Sequence, residues 1–440
     1  MGFPCEDVVV IREAEAAGEP AEITVSCPDK TGLGCDLCRV ILFFGLSIVR
    51  GDVSTDGKWC YIVFWVVGRR GSSIRWGLLK KRLLGVCPAV TAASGLYAFY
   101  HRQQQEMLAM EQQPQVFLLK FCCFDRMGLL HADVTQVLCE LELTIRRVKV
   151  STTPDGRVMD LFFITDAREL LHTKWRKDET CDQLRTALGE SMMNCDIEPA
   201  SAEIAAYLQA SPFLPPPITE EMFILELPEE LHSNSSNFST KNLSVTVDNS
   251  LSRGHTLIQI ICPDHKGILY DIMRTLKDYS IQISYGRFYS TQNGSCEVDL
   301  FVIQMDGKKI FDLNKQMSLC SRLRMELLRP LRVAVVSRGP DTELLVTNPV
   351  ELSGKGRPLV FYDITLALKM LNIRIFLGGD RLHESKDWGL KLCLKAEIGR
   401  HVIGGREWEV YRILLNDDFD SAASKDKIVD SVTKMLMGWE

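Results

Sequence analysis

One short pattern recurs along this 440-residue chain and constrains its fold more than any other feature. The stretch "CPDKTGLGCDLC" at residues 27–38 returns as "CFDRMGLLHADVTQVL" from Cys123 and as "CPDHKGILYDIMRTL" from Cys262, with a weaker fourth copy, "GRPLVFYDITLAL", from Gly356. In the first three copies an Asp stands three residues before a Gly: Asp29 and Gly32, Asp125 and Gly128, Asp264 and Gly267. In all four an Asp followed by an aliphatic residue comes next, at Asp36, Asp133, Asp271 and Asp363. Apolar residues such as Val134, Val137, Leu138 and Leu141 then fall on one face, so each copy opens an amphipathic helix.

Each helix is followed by an alternating strand, a tight turn and a second strand. "LTIRRVKVSTTPDGRVMDLFFI" and "IQISYGRFYSTQNGSCEVDLFVI" display it best, with Asp155-Gly156 and Asn293-Gly294 as hairpin signals; Asp56-Gly57 leads into "WCYIVFWVV" in the first copy. Further helices are expected over 78–84, 181–188 and 313–328, and a closing strand at 331–337, "LRVAVVS". The unit is strand, helix, strand, strand, helix, strand over roughly 70 to 90 residues, the split βαβ arrangement. The expected fold class is therefore α+β: four tandem ferredoxin-like βαββαβ units in two side-by-side pairs. They span 20–101, 114–199, 243–338 and 341–440. In the fourth unit the spacing from Ile373 to Gly404 is too long, and removing the 19 residues 377–395 restores the register, so that stretch reads as an insertion. A polar, Gln-rich segment at 103–114 and a longer one at 200–242, with "SPFLPPP" and "SNSSNFSTKN", read as linkers, the second extended and partly disordered. The longer linker sets one pair of units on each side.

The recurring turn, Pro-Asp-x-x-Gly followed by an aliphatic residue, with Asp-aliphatic in the following helix and four βαββαβ units, resembles the ACT domain. A chain built of such units alone resembles the plant ACT domain repeat family, whose repeats are similar to those at the C-terminus of the bacterial uridylyltransferase that senses glutamine. The resemblance implies a regulatory module that binds a small amino acid between paired units. On that reading Asp29, Thr31, Gly32 and Leu33 share an interface with Asp125, Met127, Gly128 and Leu129, and Asp264, Lys266, Gly267 and Ile268 lie near another. The chemistry is plausible on its own terms. Unpaired N–H groups at a helix start suit a carboxylate, the Gly permits close approach, and the Asp can receive an ammonium group. Ordinary turn and N-cap chemistry is the competing account of the same residues. Because the fourth copy has Gly356 and Leu359 in place of the Asp and Gly, those two residues are expected not to be purely structural, and the fourth unit is a poor binding candidate. The helix-start Asp residues are expected to serve the helix dipole.

Other functions find less support. A net charge of −6 and a pI near 5.9, with no long Lys/Arg block, exclude a nucleic-acid or anionic-membrane footprint. The opening "MGFPCEDVVV" has no leader-like apolar core, and Glu6 argues against myristoylation of Gly2. The longest apolar run is too short for a membrane span. A cytoplasmic location is expected, the nucleus being left open, with the fifteen cysteines as reduced thiols. Cys35 and Cys38 form a Cys-x-x-Cys at a helix start, but no second pair exists for zinc, and the copies put varied residues at these positions. His131 and His265 read as exposed turn residues, and Phe162, Phe301, Tyr411 and the Cys122-Cys123 pair as core. There is no His-Asp dipeptide, suitably placed Asp-x-Asp, Gly-Lys-Ser/Thr loop or Gly-x-Ser-x-Gly. The expectation is a non-enzymatic amino-acid sensor without cofactor or metal, signalling to a protein partner or associating through its sheet edges. The alternatives are an interaction scaffold without ligand and a thiol redox sensor using Cys35 and Cys38.

Overall fold

The computed structural model describes residues 8–88, 115–201, 222–223, 243–338 and 341–438, apart from 15, 17–18, 69–73, 125–133, 142, 153–156, 167–169, 292, 353, 372, 374–395, 404–405 and 416–421. The repeated units, here called modules, fall into two compact bodies. One holds the first and third modules, the other the second and fourth. This corrects the expectation that adjacent units pair on either side of the long linker, the first with the second and the third with the fourth. The α+β class and the two pairs stand.

In the first body, β1 (Val9–Arg12), β2 (Ala21–Pro28), β3 (Leu46–Thr55) and β4 (Trp59–Gly68) accompany α1 (Leu33–Phe43) and α2 (Trp76–Val86). The third module supplies β9 (Ser244–Asp248), β10 (Thr256–Pro263), β11 (Ile281–Ser290) and β12 (Ser295–Gln304), with α5 (Ile268–Asp278) and α6 (Leu313–Leu328). Their strands form one eight-stranded sheet in the order β1-β2-β4-β3-β11-β12-β10-β9. Strict alternation explains why these sequences make half-buried strands: Cys296, Val298, Leu300 and Val302 of β12 point into the core, the residues between them do not. The four helices cover that face, and α1 packs on α5.

The junction is the antiparallel ladder of β3 on β11. A constant offset of 235 residues carries Asp29 onto Asp264, Gly32 onto Gly267 and Asp36 onto Asp271. The same offset carries Asp52 onto Arg287, and these two face one another in the ladder, joined by a 3.7 Å ion pair. A local two-fold relation thus passes through that pair.

The second body contains β5 (Phe117–Phe124), α3 (Gln136–Glu140), β6 (Leu143–Thr152), β7 (Arg157–Asp166), α4 (Lys174–Leu188) and β8 (Met192–Pro199) of the second module. From the fourth module come β13 (Arg332–Arg338), β14 (Asp341–Pro349), α7 (Val360–Met370), β15 (Ala396–Ile403), β16 (Arg406–Leu415) and α8 (Ala422–Met437). The two sheets run β6-β7-β5-β8 and β13-β14-β16-β15. β6 lies beside β15, and Arg147 is ion-paired with Glu397 across that contact.

The closing strands depart from expectation. In the described residues only the second module closes with a strand after its second helix, β8. In the other three, the strand before the first repeat strand takes that edge: β1 beside β2, β9 beside β10 and β13 beside β14. Residues 331–337 therefore belong with the fourth module. The reason is local: Arg338 and Asp341 face each other across a two-residue connection, which forces a hairpin. The first module likewise starts before residue 20. Within the segment read as a linker, Met222 and Phe223 are buried, Phe223 standing edge-on to Trp408 at 5.3 Å. The expected insertion at 377–395 and the Asp155-Gly156 turn lie outside the described residues.

Because Val9 is fully buried on a strand that precedes the repeat, Val9→Asp should destabilise the first body by on the order of 3 kcal/mol. A lowered urea midpoint together with lost amide protection along β2 would register it; unchanged protection of β2 would show that β1 is dispensable.

Candidate functional site

The repeated turn ends each repeat's first strand and starts its first helix. Gly32 and Gly267 are the N-caps of α1 and α5, with φ of 77° and 78°, the left-handed region where a Cβ is costly. In the fourth module Leu359 holds the same N-cap with φ 64°. The backbone conformation is thus a requirement of the fold, kept even where the residue pays strain for it. The expectation that the glycine is not purely structural is thus qualified: the bend it makes easy is kept in the fourth module without it. Neither α1 nor α5 has a side chain capping its first turn.

The turn aspartates occupy matching places. The Thr55 hydroxyl donates to Asp29 Oδ2 at 2.7 Å, and Ser290, at the 235-residue offset from Thr55, lies beside Asp264. Burial pushes the Asp264 carboxyl up, against the opposing influence of Ser290 and the His265 backbone N–H. His265 is itself buried, not exposed as expected, with Nδ1 3.1 Å from the Lys266 carbonyl oxygen.

Two cavities related by the local two-fold flank the β3–β11 junction. At the first, Asp29, Lys30, Thr31, Gly32 and Leu33 face Met273, Lys277, Gln282 and Ile283 of the third module across about 60 Å³. At the second, Asp264, His265, Gly267 and Ile268 face Cys38, Leu42, Ser47 and Ile48 of the first module across about 20 Å³. Since one water needs roughly 10–15 Å³ by this measure, the first holds several waters' worth of ligand and the second about one. The substitutions between copies explain the difference. Gly34 and Cys35 line the first cavity, whereas Leu269 and Tyr270 fill the corresponding space in the second. Lys277 and Gln282 stand where the second has Leu42 and Ser47, so the roomier cavity is also the more polar.

Its charges are arranged for exchange. Asp36 accepts from Lys30 Nζ at 3.0 Å and from Lys277 Nζ at 3.1 Å, so with Asp29 two cations and two anions stand beside the start of α1. The aliphatic stem of Lys277 crosses Gly32, where an added Cβ would meet it at 2.7 Å. The equivalent Asp271 instead belongs to a sealed network: Arg274, fully buried, reaches both Asp271 and Glu326, and Arg322 joins Glu326 at 3.0 Å. Asp36 and Asp271, each in the first turn of its helix where the dipole favours an acid, thus also organise ion pairs, partly open at Asp36 and buried at Asp271.

Of the sequence-proposed residues, Asp29, Thr31, Gly32 and Leu33 line the larger cavity. Asp264, Gly267 and Ile268 line the smaller one, whose lining does not include the buried Lys266. Asp125, Met127, Gly128, Leu129 and His131 lie outside the described residues. Lys30, Thr55, Lys277 and Gln282 were missed, because two of them come from the other module; comparing positions 34, 35 and 42 with 269, 270 and 277 was the available signal. Cys35 and Cys38 are both buried in the core, and burial raises the Cys38 thiol far above its ordinary value. Phe162, Tyr411 and Cys123 are buried as expected, whereas Phe301 and Cys122 are half-exposed. Among the described residues, no group of His, Cys, Asp and Glu is placed to hold a metal ion, and no helix is long and apolar enough to cross a membrane.

Two measurements test these assignments. Glu326→Gln leaves the buried Arg274 short of a counter-charge and should cost about 3–5 kcal/mol in urea unfolding, whereas Lys30→Ala, at a half-exposed pair, should cost about 1 kcal/mol or less. Equal costs would contradict the distinction between sealed and exchangeable networks. A carboxyl raised above its unfolded value near 3.8 favours folding while protonated, and that contribution is lost as pH rises through the raised value. Asp264→Asn should therefore be more stable than the parent at neutral pH, the gap closing as pH falls below about 4; a gap that widens in acid would reverse the assignment.

Known proteins are similar to this chain over its whole length. Three family models match: "ACT domain-containing protein ACR10, N-terminal" over residues 11–88, "ACR9-like, ACT-like domain" over 244–341 and "ACT domain-containing protein ACR9, C-terminal" over 342–438. The ACT domain-containing proteins ACR10 and ACR9 of Arabidopsis thaliana are 53% and 50% identical, each alignment covering 100% of both chains. ACR8 of the same plant is 20% identical over 88% of this chain and 83% of its own. With four such modules and this similarity end to end, the chain belongs to the ACT domain-containing protein family of ACR9 and ACR10.

Proposed function

We propose that the protein is a non-enzymatic regulator that binds a small amino acid in the cavity between the Asp29 turn and α5, and passes the change to a protein partner. The observation that carries the reading is the asymmetry of the two related cavities. Only the one at Asp29 combines space with charges of both signs. Asp29 suits the ammonium group of a zwitterion. The first turn of α1, with Lys30 and Lys277 beside it, suits the carboxylate. Gly34 and Cys35 leave room for a short side chain, which favours small amino acids. Cys35 is then significant for its size rather than its thiol. A cytoplasmic setting accords with the free cysteines of the described residues.

The test is a thermal-shift screen of the full chain against the twenty amino acids. A ligand at about 100 times its Kd stabilises by roughly 2.7 kcal/mol, a visible shift. One or a few small amino acids should produce it. Lys277→Met, or Gly34→Leu combined with Cys35→Tyr to copy the filled cavity, should abolish it, while Asp264→Asn should retain it. No shift at millimolar concentrations in the folded parent would remove the sensor and leave a ligand-free scaffold. A shift lost only in Asp264→Asn would move the site to the second cavity.

A further inference from the structure

We propose that Cys181 and Cys195 of the second module form a reversible disulfide, a redox-modification site apart from the amino-acid cavity. Their sulfurs lie 3.1 Å apart, Cys181 on α4 and Cys195 on β8, the edge strand of its sheet. Both side chains are half-buried and line a groove of about 520 Å³, together with Lys177, Asp178, Arg185 and Asp196. A small disulfide therefore has access to them.

The two thiols are unequal. Cys195 donates its S–H to Cys181 Sγ, which lowers the Cys181 thiol; burial opposes this and Arg185 adds to it, while Asp196 and Asp178 act against. Cys195 is raised, by that same hydrogen bond and by burial. Cys181 is thus the nucleophile and Cys195 the resolving thiol. The oxidant is a low-molecular-weight disulfide such as glutathione disulfide. Cys181 thiolate attacks one sulfur, forming a mixed disulfide and releasing one glutathione thiolate. Cys195, losing its proton, then attacks Cys181 Sγ and displaces the second glutathione. The net change is two cysteine thiols and one glutathione disulfide giving one protein disulfide and two glutathione thiols.

The molecule carries its own controls. Cys27 and Cys60 face each other across β2 and β4 with sulfurs 3.8 Å apart, and Cys262 and Cys296 are opposite in β10 and β12. All four are buried, and in Cys60 and Cys296 the shared hydrogen bond and burial hold the thiol far above its ordinary value.

Incubating the full chain with graded glutathione and glutathione disulfide, then alkylating and mapping peptides by mass, tests the proposal. The expected product is a 181–195 cross-linked peptide that appears first, disappears with dithiothreitol, and precedes any linkage of the two buried strand pairs. Cys195→Ser should instead stop at a glutathione adduct on Cys181, and Cys181→Ser should leave Cys195 largely unmodified. A parent chain that keeps both thiols free while other cysteines take up glutathione would overturn the proposal. So would a stable glutathione adduct on Cys181 with Cys195 still free.

Discussion

The β3–β11 ladder is the interaction on which the rest of the first body depends. It turns two four-stranded sheets into one, sets α1 against α5, and thereby creates both cavities. Asp52 and Arg287 mark its centre, but an exposed ion pair of this length contributes little. The joining energy lies in the backbone hydrogen bonds and in the apolar face the helices cover, which is why the junction tolerates different side chains on its two halves. That tolerance is what permits the cavities to diverge. Gly34 and Cys35 against Leu269 and Tyr270 change the space at one turn without disturbing the other.

The left-handed N-cap separates what the turn needs for folding from what it needs for recognition. Leu359 shows that the backbone bend persists when glycine is lost. What the fourth module has also lost is the aspartate of the turn, replaced by Gly356. The left-handed bend therefore belongs to the fold in each of the three copies described, whereas the acid is absent from the fourth. A Cβ on Gly32 meets a further obstacle absent from Leu359's surroundings as described: the stem of Lys277, which arrives from the other module. At this one position a backbone requirement and an inter-module contact coincide.

The repeat, the first helices, the hairpins and the register of the turns were legible in the sequence, because each rests on interactions between residues near one another. Which module pairs with which was not. The period of a strand is the same whether β3 meets β11 or a strand of the next module, and nothing local distinguishes them. The closing edge was misread for a related reason. "LRVAVVS" follows a helix as a closing strand should, yet Asp341 stands so close behind it that a hairpin with β14 prevails. His265 looked exposed because it sits in a polar turn; its burial is a tertiary effect that the local sequence does not announce. Half of the larger cavity was likewise hidden, since Lys277 and Gln282 are unremarkable on their own helix and strand.

For a ligand held at the Asp29 turn, the geometry dictates how its binding is felt. Its contacts come from α1 and the turn on one side and from α5 and β11 on the other, so its free energy is shared with the joining of the modules. Whatever favours that joining tightens the ligand, and the ligand favours the joining by the same amount. The filled cavity at Asp264 makes no such demand; its apolar residues hold its side of the junction closed without a ligand. A change of pose follows only to the extent that the ligand prefers one arrangement over another. On the proposed reading, the lysines on Asp36 would supply that preference, since a carboxylate beside them competes for Lys277, a cation that α5 extends across the junction to Asp36.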